Sequence, residues 1–198
     1  SIRATAKYHN QNTTYTADYD IAIDHAKNRL KVWTTNGDSS FLMIYNQQWA
    51  SDKIYYVLPT NPNMTSFACQ TYRFDPSSLD SLWTGYDVIN TFSKNAEFSG
   101  KAIGLNPKNF VEPANAFTNS KLVPTRLVVA YFCDKGHPFS MTFRAGGNVP
   151  SDTFKANGFS DQVTDNDFSL LIAEPSECTS SSANAAHVQA FAPMNILL

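Results

Sequence analysis

Short segments in which apolar and polar residues alternate run through most of the chain, and this period-2 pattern predicts β-strands. Residues 21–24 and 29–34 alternate on either side of a short turn, which predicts a β-hairpin. Asn36-Gly37, a strong two-residue turn signal, leads into the apolar run at residues 41–45. Further strands are predicted at residues 53–58, 66–72, 126–132, 138–143 and 168–172. Strands at this regular spacing predict a meander of antiparallel neighbours.

The middle of the chain, residues 74–121, carries a weaker pattern. Residues 98–105 favour a strand that Gly100 and Gly104 interrupt. Residues 80–90 allow a helical turn, but their periodicity does not decide between helix and loop. The predicted fold class is therefore all-β to α+β.

Chain length and composition predict one domain. A chain of 198 residues can bury a single large core, and we find no internal repeat or second domain. Residues 1–178 are predicted to form one β domain. After Cys178 the composition changes to Thr-Ser-Ser-Ser-Ala, so residues 179–198 are predicted to form a flexible C-terminal tail.

Charge and polar composition favour a secreted, soluble protein. A net charge of -2 without a basic stripe argues against nucleic acid as a partner. Only 16% of residues are charged, and Asn, Ser and Thr carry much of the polarity. Asn12 and Asn63 each begin a glycosylation sequon. No apolar run approaches the ~20 residues that span a bilayer, and a chain that begins at Ser1 is expected of a processed secreted protein.

Three cysteines, Cys69, Cys133 and Cys178, are separated by 64 and 45 residues. These separations are too long for the close pairs of a CxxC metal or redox site. Read as disulfide partners, the cysteines imply an oxidising compartment and leave one thiol over. The alternative is three unpaired core cysteines in a cytosolic protein.

The common catalytic motifs are absent from the sequence: there is no GxSxG, HExxH, Walker loop or GxGxxG. The four histidines, His9, His25, His137 and His187, are scattered and are interpreted as surface residues. We therefore predict that the chain is not an enzyme.

Acidic residues cluster at Asp161, Asp165 and Asp167. Their oxygens are of the kind that bind Ca²⁺, but the segment lacks the glycine and terminal glutamate of an EF-hand. A solvated loop is the interpretation that we favour, and the metal content stays undetermined.

Aromatic residues make up 13% of the chain, with fourteen Phe. Several predicted strands place aromatic residues and methionines on one period-2 face. Such faces form either an ordinary hydrophobic core or the lining of a lipophilic cavity, and spacing alone favours the core. The candidate ligand-binding residues are Phe41, Met43, Tyr45, Tyr56, Leu58, Val129, Tyr131, Phe139, Met141 and Phe143.

Four sequence segments occur in an order that resembles a known family. They are Tyr19-Asp20 followed by Asn-Arg-Leu-Lys-Val at residues 28–32, residues 54–57 followed by Cys69, an apolar strand with a Cys and a Pro at residues 128–138, and residues 168–178 ending in Pro-Ser-Glu-Cys. Together, over residues 15–178, they are similar to the ependymin-related family of secreted glycoproteins.

This resemblance implies curved antiparallel sheets that form a half-open barrel around a hydrophobic pocket, like the bacterial lipoprotein carriers (LolA-like). It also implies a homodimer and a lipophilic ligand, with calcium binding in some members. In the family the cysteines that match Cys69 and Cys178 form a disulfide. Cys133 is expected to be a free thiol, because the family partner of its counterpart lies in an N-terminal segment and this chain has no cysteine before Cys69.

Some members of the family in marine invertebrates are blue carotenoproteins, so a carotenoid is one expected ligand. Tyr45, Tyr55, Tyr56 and Tyr131 offer flat rings and hydroxyl groups for such a molecule. The expected function is a secreted protein that binds a lipophilic ligand in a cavity. The alternative is an extracellular matrix or adhesion glycoprotein without a dedicated ligand.

Overall fold

The structure is a computed structural model, which describes most of the chain. The described residues are 2–10, 16–36, 39–105, 111–123, 126–133, 138–144, 152–171 and 174–184. Within these ranges the chain forms one twelve-stranded sheet and two short α-helices. The first six strands are β1 (Ile2–Asn10), β2 (Thr16–Asp24), β3 (Arg29–Asn36), β4 (Ser39–Asn46), β5 (Lys53–Pro59) and β6 (Phe67–Arg73). The later elements are α1 (Leu79–Tyr86), α2 (Val88–Ser93), β7 (Glu97–Leu105), β8 (Val111–Val123), β9 (Arg126–Cys133), β10 (Pro138–Arg144), β11 (Asp152–Ser160) and β12 (Thr179–Asn184).

The sheet consists of two antiparallel meanders joined by the N-terminal strand. Its strand order is β12-β6-β5-β4-β3-β2-β1-β11-β10-β9-β8-β7. Strands β2–β6 follow one another in sequence, as do β7–β11, and β1 pairs with β2 on one side and β11 on the other. The parallel pairing of β12 with β6 ends the sheet on one side, and β7 ends it on the other. The sheet is therefore open and β-rich, in agreement with the predicted class.

The β2–β3–β4 region matches the predicted hairpins because its turns and alternation are local signals. β2 pairs with β3 from Asp18 with Thr35 to Asp24 with Arg29. Asn28 lies in the turn at φ 48°, a left-handed conformation that asparagine tolerates better than most residues. The predicted order of β-strands is thus correct here.

Two predictions about the C-terminal part are wrong. Residues 168–171 do not form a strand, because Phe168 closes a 3-10 helix, Asp165–Phe168, that polar contacts hold against β1 and β3. Residues 179–184 are not part of a flexible tail. They form β12, and the Thr179 hydroxyl donates a hydrogen bond to the Cys69 carbonyl at 3.2 Å.

The core lies mainly on the face of the sheet that packs against α1 and α2, which we call the inner face. Its strands contribute buried Tyr19, Val32 and Met43, and the helices contribute Tyr86 and Phe92. The link between β6 and β7, which lie near opposite ends of the sheet, contains both helices. The helices therefore cover inner-face positions from several strands at once.

The opposite, outer face carries a second apolar cluster, which the segment before β12 covers. Leu42, Ile44 and Tyr55 are buried there, and Leu170 packs against them. We call residues 161–171 and 174–178 the outer strap. The strap leaves β11 and runs across the outer face to β12. Burial of Phe168 and partial burial of Leu170 hold it on the sheet, since a fully buried large apolar side chain contributes about 1.5–3 kcal/mol.

Acidic residues of the strap pair with basic residues of the sheet. Asp165 accepts a hydrogen bond from Lys27 Nζ at 3.0 Å and lies 2.7 Å from Arg29 Nη1. Asp167 lies 2.9 Å from Arg3 Nη1. The segment predicted as a solvated loop is thus ionically docked, and two of the three carboxylates considered for calcium are engaged by cations.

These ion pairs predict that acid weakens the strap. Hydrogen bonding from Arg29 lowers the pKa of Asp165, and the Thr164 backbone N–H lowers the pKa of Asp167. A lowered folded-state pKa stabilises docking above the unfolded value of about 3.9, and the effect is lost as pH falls through the folded-state pKa. Protection of residues 161–171 against hydrogen exchange, measured relative to the intrinsic exchange rate at each pH, should fall below about pH 4. In the Asp165→Asn, Asp167→Asn double variant exchange should already be fast at neutral pH, and an unchanged pH profile would contradict the prediction.

Candidate ligand-binding face

Four of the predicted ligand-binding residues meet on the inner face of β4 and β5. Met43 pairs directly with Tyr56, and the Phe41 and Tyr56 ring centroids are 5.0 Å apart. Met43 is 0% exposed and Tyr45 is buried, with the Trp83 ring of α1 6.4 Å from the Tyr45 ring. This part of the inner face is closed by the helices and behaves as core.

Leu58, also predicted, lies at the rim of this region. It pairs with Ala68 near the end of β5, and its side chain is 39% exposed. The inner face is therefore closed at its centre and more exposed near the end of β5 and the start of β6.

The structure does not bring Val129 and Tyr131 to the inner face. Ala130 and Phe132 contact the inner core, so the residues that alternate with them on β9 lie on the outer face. Residues 126–132 are apolar on both faces, and such a run does not indicate which set points inward. The predicted set is displaced by one residue.

The remaining predicted positions are only partly described. The side chains of Phe139, Met141, Phe143 and Cys133 lie outside the described residues, as does Asn12. The backbone register pairs Met141 with Ala130 and with Phe154. Because directly paired residues share a face of a sheet, Met141 occupies an inner-face position.

Sequence reasoning missed a series of four phenylalanines that runs from the core to the surface. Phe92 of α2 lies 6.3 Å from Phe132, Phe132 lies 5.5 Å from Phe117, and Phe117 lies 5.6 Å from Phe98, measured between ring centroids. Exposure rises along the series from 0% at Phe92 to 60% at Phe98. We call these residues the aromatic ladder. The helices leave Phe98, at the exposed end of the ladder, uncovered.

The aromatic ladder begins a longer row of inner-face positions. Register pairs run from Phe98 through Phe117, Ala130, Met141 and Phe154 to Tyr8. Neighbouring strands are about 4.8 Å apart, so a row across six strands extends about 24 Å. Ala130 and Tyr8 in this row are buried, whereas Phe98 at its other end is 60% exposed, so a long apolar molecule reaches the row from the Phe98 end.

Tyrosines supply polar groups within this apolar face. Burial raises the pKa of Tyr56 to about 12, and burial also raises the pKa of Tyr86 far above its usual value. Both hydroxyls are therefore protonated at neutral pH and can donate hydrogen bonds. The Tyr72 hydroxyl donates to Gln70 Oε1 at 2.7 Å.

A histidine–aspartate pair fixes the helices to the sheet. His25 Nε2 lies 2.7 Å from Asp87 Oδ2, and Asp87 Oδ1 accepts the Asn90 backbone N–H at the start of α2. The His25 ring packs edge-on against Trp83 at 4.9 Å. The sequence predicts His25 as a surface histidine, and although 40% of its side chain is exposed it has a structural partner. A second contact fixes α2 to β8, where Asn119 Nδ2 donates to the Phe92 carbonyl at 2.7 Å.

Cys69 and Cys178 form a disulfide with a Cα–Cα distance of 4.6 Å. This is the pair that the family resemblance implies. It joins the end of the outer strap to β6. Asn63, the second sequon, is exposed in the β5–β6 turn.

The described residues contain neither a cluster of side chains suited to a metal ion nor a helix suited to crossing a membrane. There, no group of three or more His, Cys, Asp or Glu side chains is placed to hold a metal ion. Within the same ranges, no helix is long and apolar enough to cross a bilayer.

Comparison with known proteins relates the chain to others by fold alone. No family model matches the sequence, and no curated protein sequence does. The structure resembles an uncharacterized conserved protein from Thermus thermophilus, with a TM-score of 0.51 and 8% identity over 91% of this chain and 88% of that one. MucB is less similar, with a TM-score of 0.45 and 10% identity over 86% of this chain and 57% of MucB. The Pseudomonas aeruginosa MucA/MucB complex gives the same score and identity over 92% of this chain and 58% of the matched chain. The Thermus structure shares the fold, and at these identities neither likeness indicates a function.

Proposed function

We propose that the chain is a secreted carrier of a lipophilic ligand, related to the ependymin-related proteins, and that it catalyses no reaction. The observation that carries this proposal is the aromatic ladder. Phe98 is 60% exposed on an inner-face position, and it continues without interruption into a buried aromatic core. Contiguous exposed apolar surface of this kind marks binding sites on soluble proteins.

In this proposal the sheet is a half-open, LolA-like barrel and the ligand lies between the sheet and the helices. Trp83 contacts Tyr45 of β4, while Phe92, nine residues later, contacts Phe132 of β9. These strands are six places apart in the sheet, about 29 Å if it were flat. Contacts from one short helix pair to both strands support a sheet that bends around the helices.

The ligand that fits best is long and largely apolar, and a carotenoid is one candidate. Desolvation would drive binding, at about 25 cal/mol for each Å² of apolar surface removed from water. The protonated hydroxyl of Tyr56 supports recognition of an oxygenated end group. Homodimer formation and glycosylation at Asn63 complete the proposal, the latter supported by the exposure of that residue.

Replacing Phe98 with alanine tests the proposal. We expect Phe98→Ala to weaken binding of the neutral fluorescent probe N-phenyl-1-naphthylamine about fivefold to tenfold, because it removes an aromatic contact surface. The matched control is Leu171→Ala, another exposed apolar residue, 44% exposed on the outer strap. Fluorescence titration of the three proteins measures the effect. If wild type binds no probe, or both variants weaken it equally, the inner-face site is wrong.

The second candidate is a matrix or adhesion glycoprotein without a dedicated ligand. The burial of Met43 and Tyr45 favours it, because the helices already occupy the centre of the inner face. Mass spectrometry of an organic extract from protein purified from its natural source separates the two. A carrier releases a lipid or pigment in a fixed ratio to protein, whereas a matrix protein releases none.

A further inference from the structure

A bulge in β7 moves a lysine to the inner face beside the aromatic ladder. The register of β7 with β8 shifts between Phe98 and Gly100, which inserts one extra residue. Without the shift, Phe98 and Lys101 would lie on opposite faces, since successive residues alternate. With it, Phe98 pairs with Phe117 and Lys101 pairs with Asn115, so both share the inner face.

Gly100 makes this bulge possible. Its φ is +139°, a conformation that residues with a side chain rarely adopt. A Cβ atom there would meet nothing within 4 Å, so the glycine is required by backbone conformation rather than by crowding. Bulges commonly redirect side chains next to binding sites.

Lys101 and Asn115 together form a small group of donors at the open end of the ladder. Lys101 Nζ donates to Asn115 Oδ1 at 2.7 Å. Asn115 pairs in turn with Phe132, so the backbones of Lys101 and Phe132 are two strands apart, about 10 Å. Among the described residues Lys101 forms no ion pair with a carboxylate, and its charge is available to an anion.

We propose, resting on the proposed carrier function, that the ligand is a long-chain fatty acid. Its carboxylate binds Lys101 Nζ and the Asn115 side-chain amide, and its apolar chain extends over Phe98, Phe117 and Phe132. A single cation beside one amide matches the single charge and planar oxygens of a carboxylate. The apolar surface supplies most of the affinity, and the lysine selects the ionised head group.

Oleate and methyl oleate test the inference, because they share the same apolar chain and methylation of the carboxylate removes its charge. We expect oleate to displace N-phenyl-1-naphthylamine from wild type about fivefold more strongly than the ester, the size of effect of an exposed ion pair. Lys101→Gln should remove this preference by weakening oleate alone, and Lys101→Glu should reverse it. The matched control is Lys7→Gln, which changes an exposed lysine of β1 that pairs with Asp18. This variant should bind oleate more strongly than methyl oleate, as wild type does.

The outcomes separate the two proposals. If acid and ester bind wild type equally, or if Lys101→Gln keeps the preference, the fatty-acid inference is overturned and the carrier function stands. If neither compound nor the probe binds, the carrier function itself fails. Raising the salt concentration should reduce the preference for oleate without changing the affinity for methyl oleate.

Discussion

Arg29→Ala should lower the free energy of unfolding by about 3–5 kcal/mol. Arg29 and Asp24 are both largely buried, with Arg29 Nε and Nη2 donating to Asp24 Oδ2 at 3.1 and 3.0 Å. Removal of the guanidinium leaves the Asp24 carboxylate buried without its main charge partner. It also removes the contact of Arg29 with the Phe168 ring, 4.2 Å from the centroid, and the ion pair to Asp165.

Urea denaturation measures this loss, and Lys7→Ala is its control. Lys7 and Asp18 form a 3.6 Å pair on the same sheet, but both side chains are more than half exposed. Its removal should cost less than about 1 kcal/mol. Equal losses in the two variants would mean that burial does not govern the Asp24–Arg29 pair. An Asp24→Leu, Arg29→Met double variant should recover part of the loss, since it leaves no unpaired buried charge.

Removal of the Cys69–Cys178 disulfide should have the next largest effect. The two residues are 109 positions apart, and closing a loop of that length restricts the unfolded chain by about 4–5 kcal/mol in the chain-entropy description. We expect Cys178→Ser to lower the free energy of unfolding by about 2–5 kcal/mol, the usual cost of removing a native disulfide. Denaturation with and without reducing agent measures it.

Cys178→Ser and the reduced wild-type protein control for each other, because both lack the Cys69–Cys178 disulfide. Reduction should shift wild type towards the variant and leave Cys178→Ser unchanged, because Cys69 then has no partner. Limited proteolysis should cut the outer strap sooner in the variant, since β12 and the strap lose their covalent link to β6. A reduced wild type as stable as the oxidised protein would contradict the prediction.

The sequence pattern predicts the local parts of the fold and misses the parts that neighbours impose. The β2–β3 hairpin follows from alternation and a turn signal within a few residues. The pattern misses β8 and β11 because their sequences are rich in Asn, Thr, Gly and Pro or Ala, and the strands on either side stabilise them. It leaves the helices at residues 79–93 undecided, since their short lengths carry little periodic signal.

The candidate site is predicted in kind but not in place. Aromatic inner-face positions are expected, and Phe41, Met43, Tyr45 and Tyr56 do meet, but there they form core beneath the helices. The aromatic ladder joins α2, β9, β8 and β7, so only the assembled sheet brings its rings together. Lys101 reaches the inner face through a bulge, and a strict period-2 pattern places it on the opposite side.

The position of β1 between the two meanders has a consequence for how the molecule folds. Every other antiparallel pair in the sheet joins strands that are adjacent in sequence, but β1 and β11 are separated by about 150 residues, as the pair Tyr8–Phe154 shows. Contacts of such long range form slowly, because the entropy of closing the loop is lost before the pairing is gained. Each meander can therefore assemble early, and union of the two halves depends on β1, which precedes both meanders in the chain. A single strand of nine residues, β1, is thus the element on which the completed sheet depends.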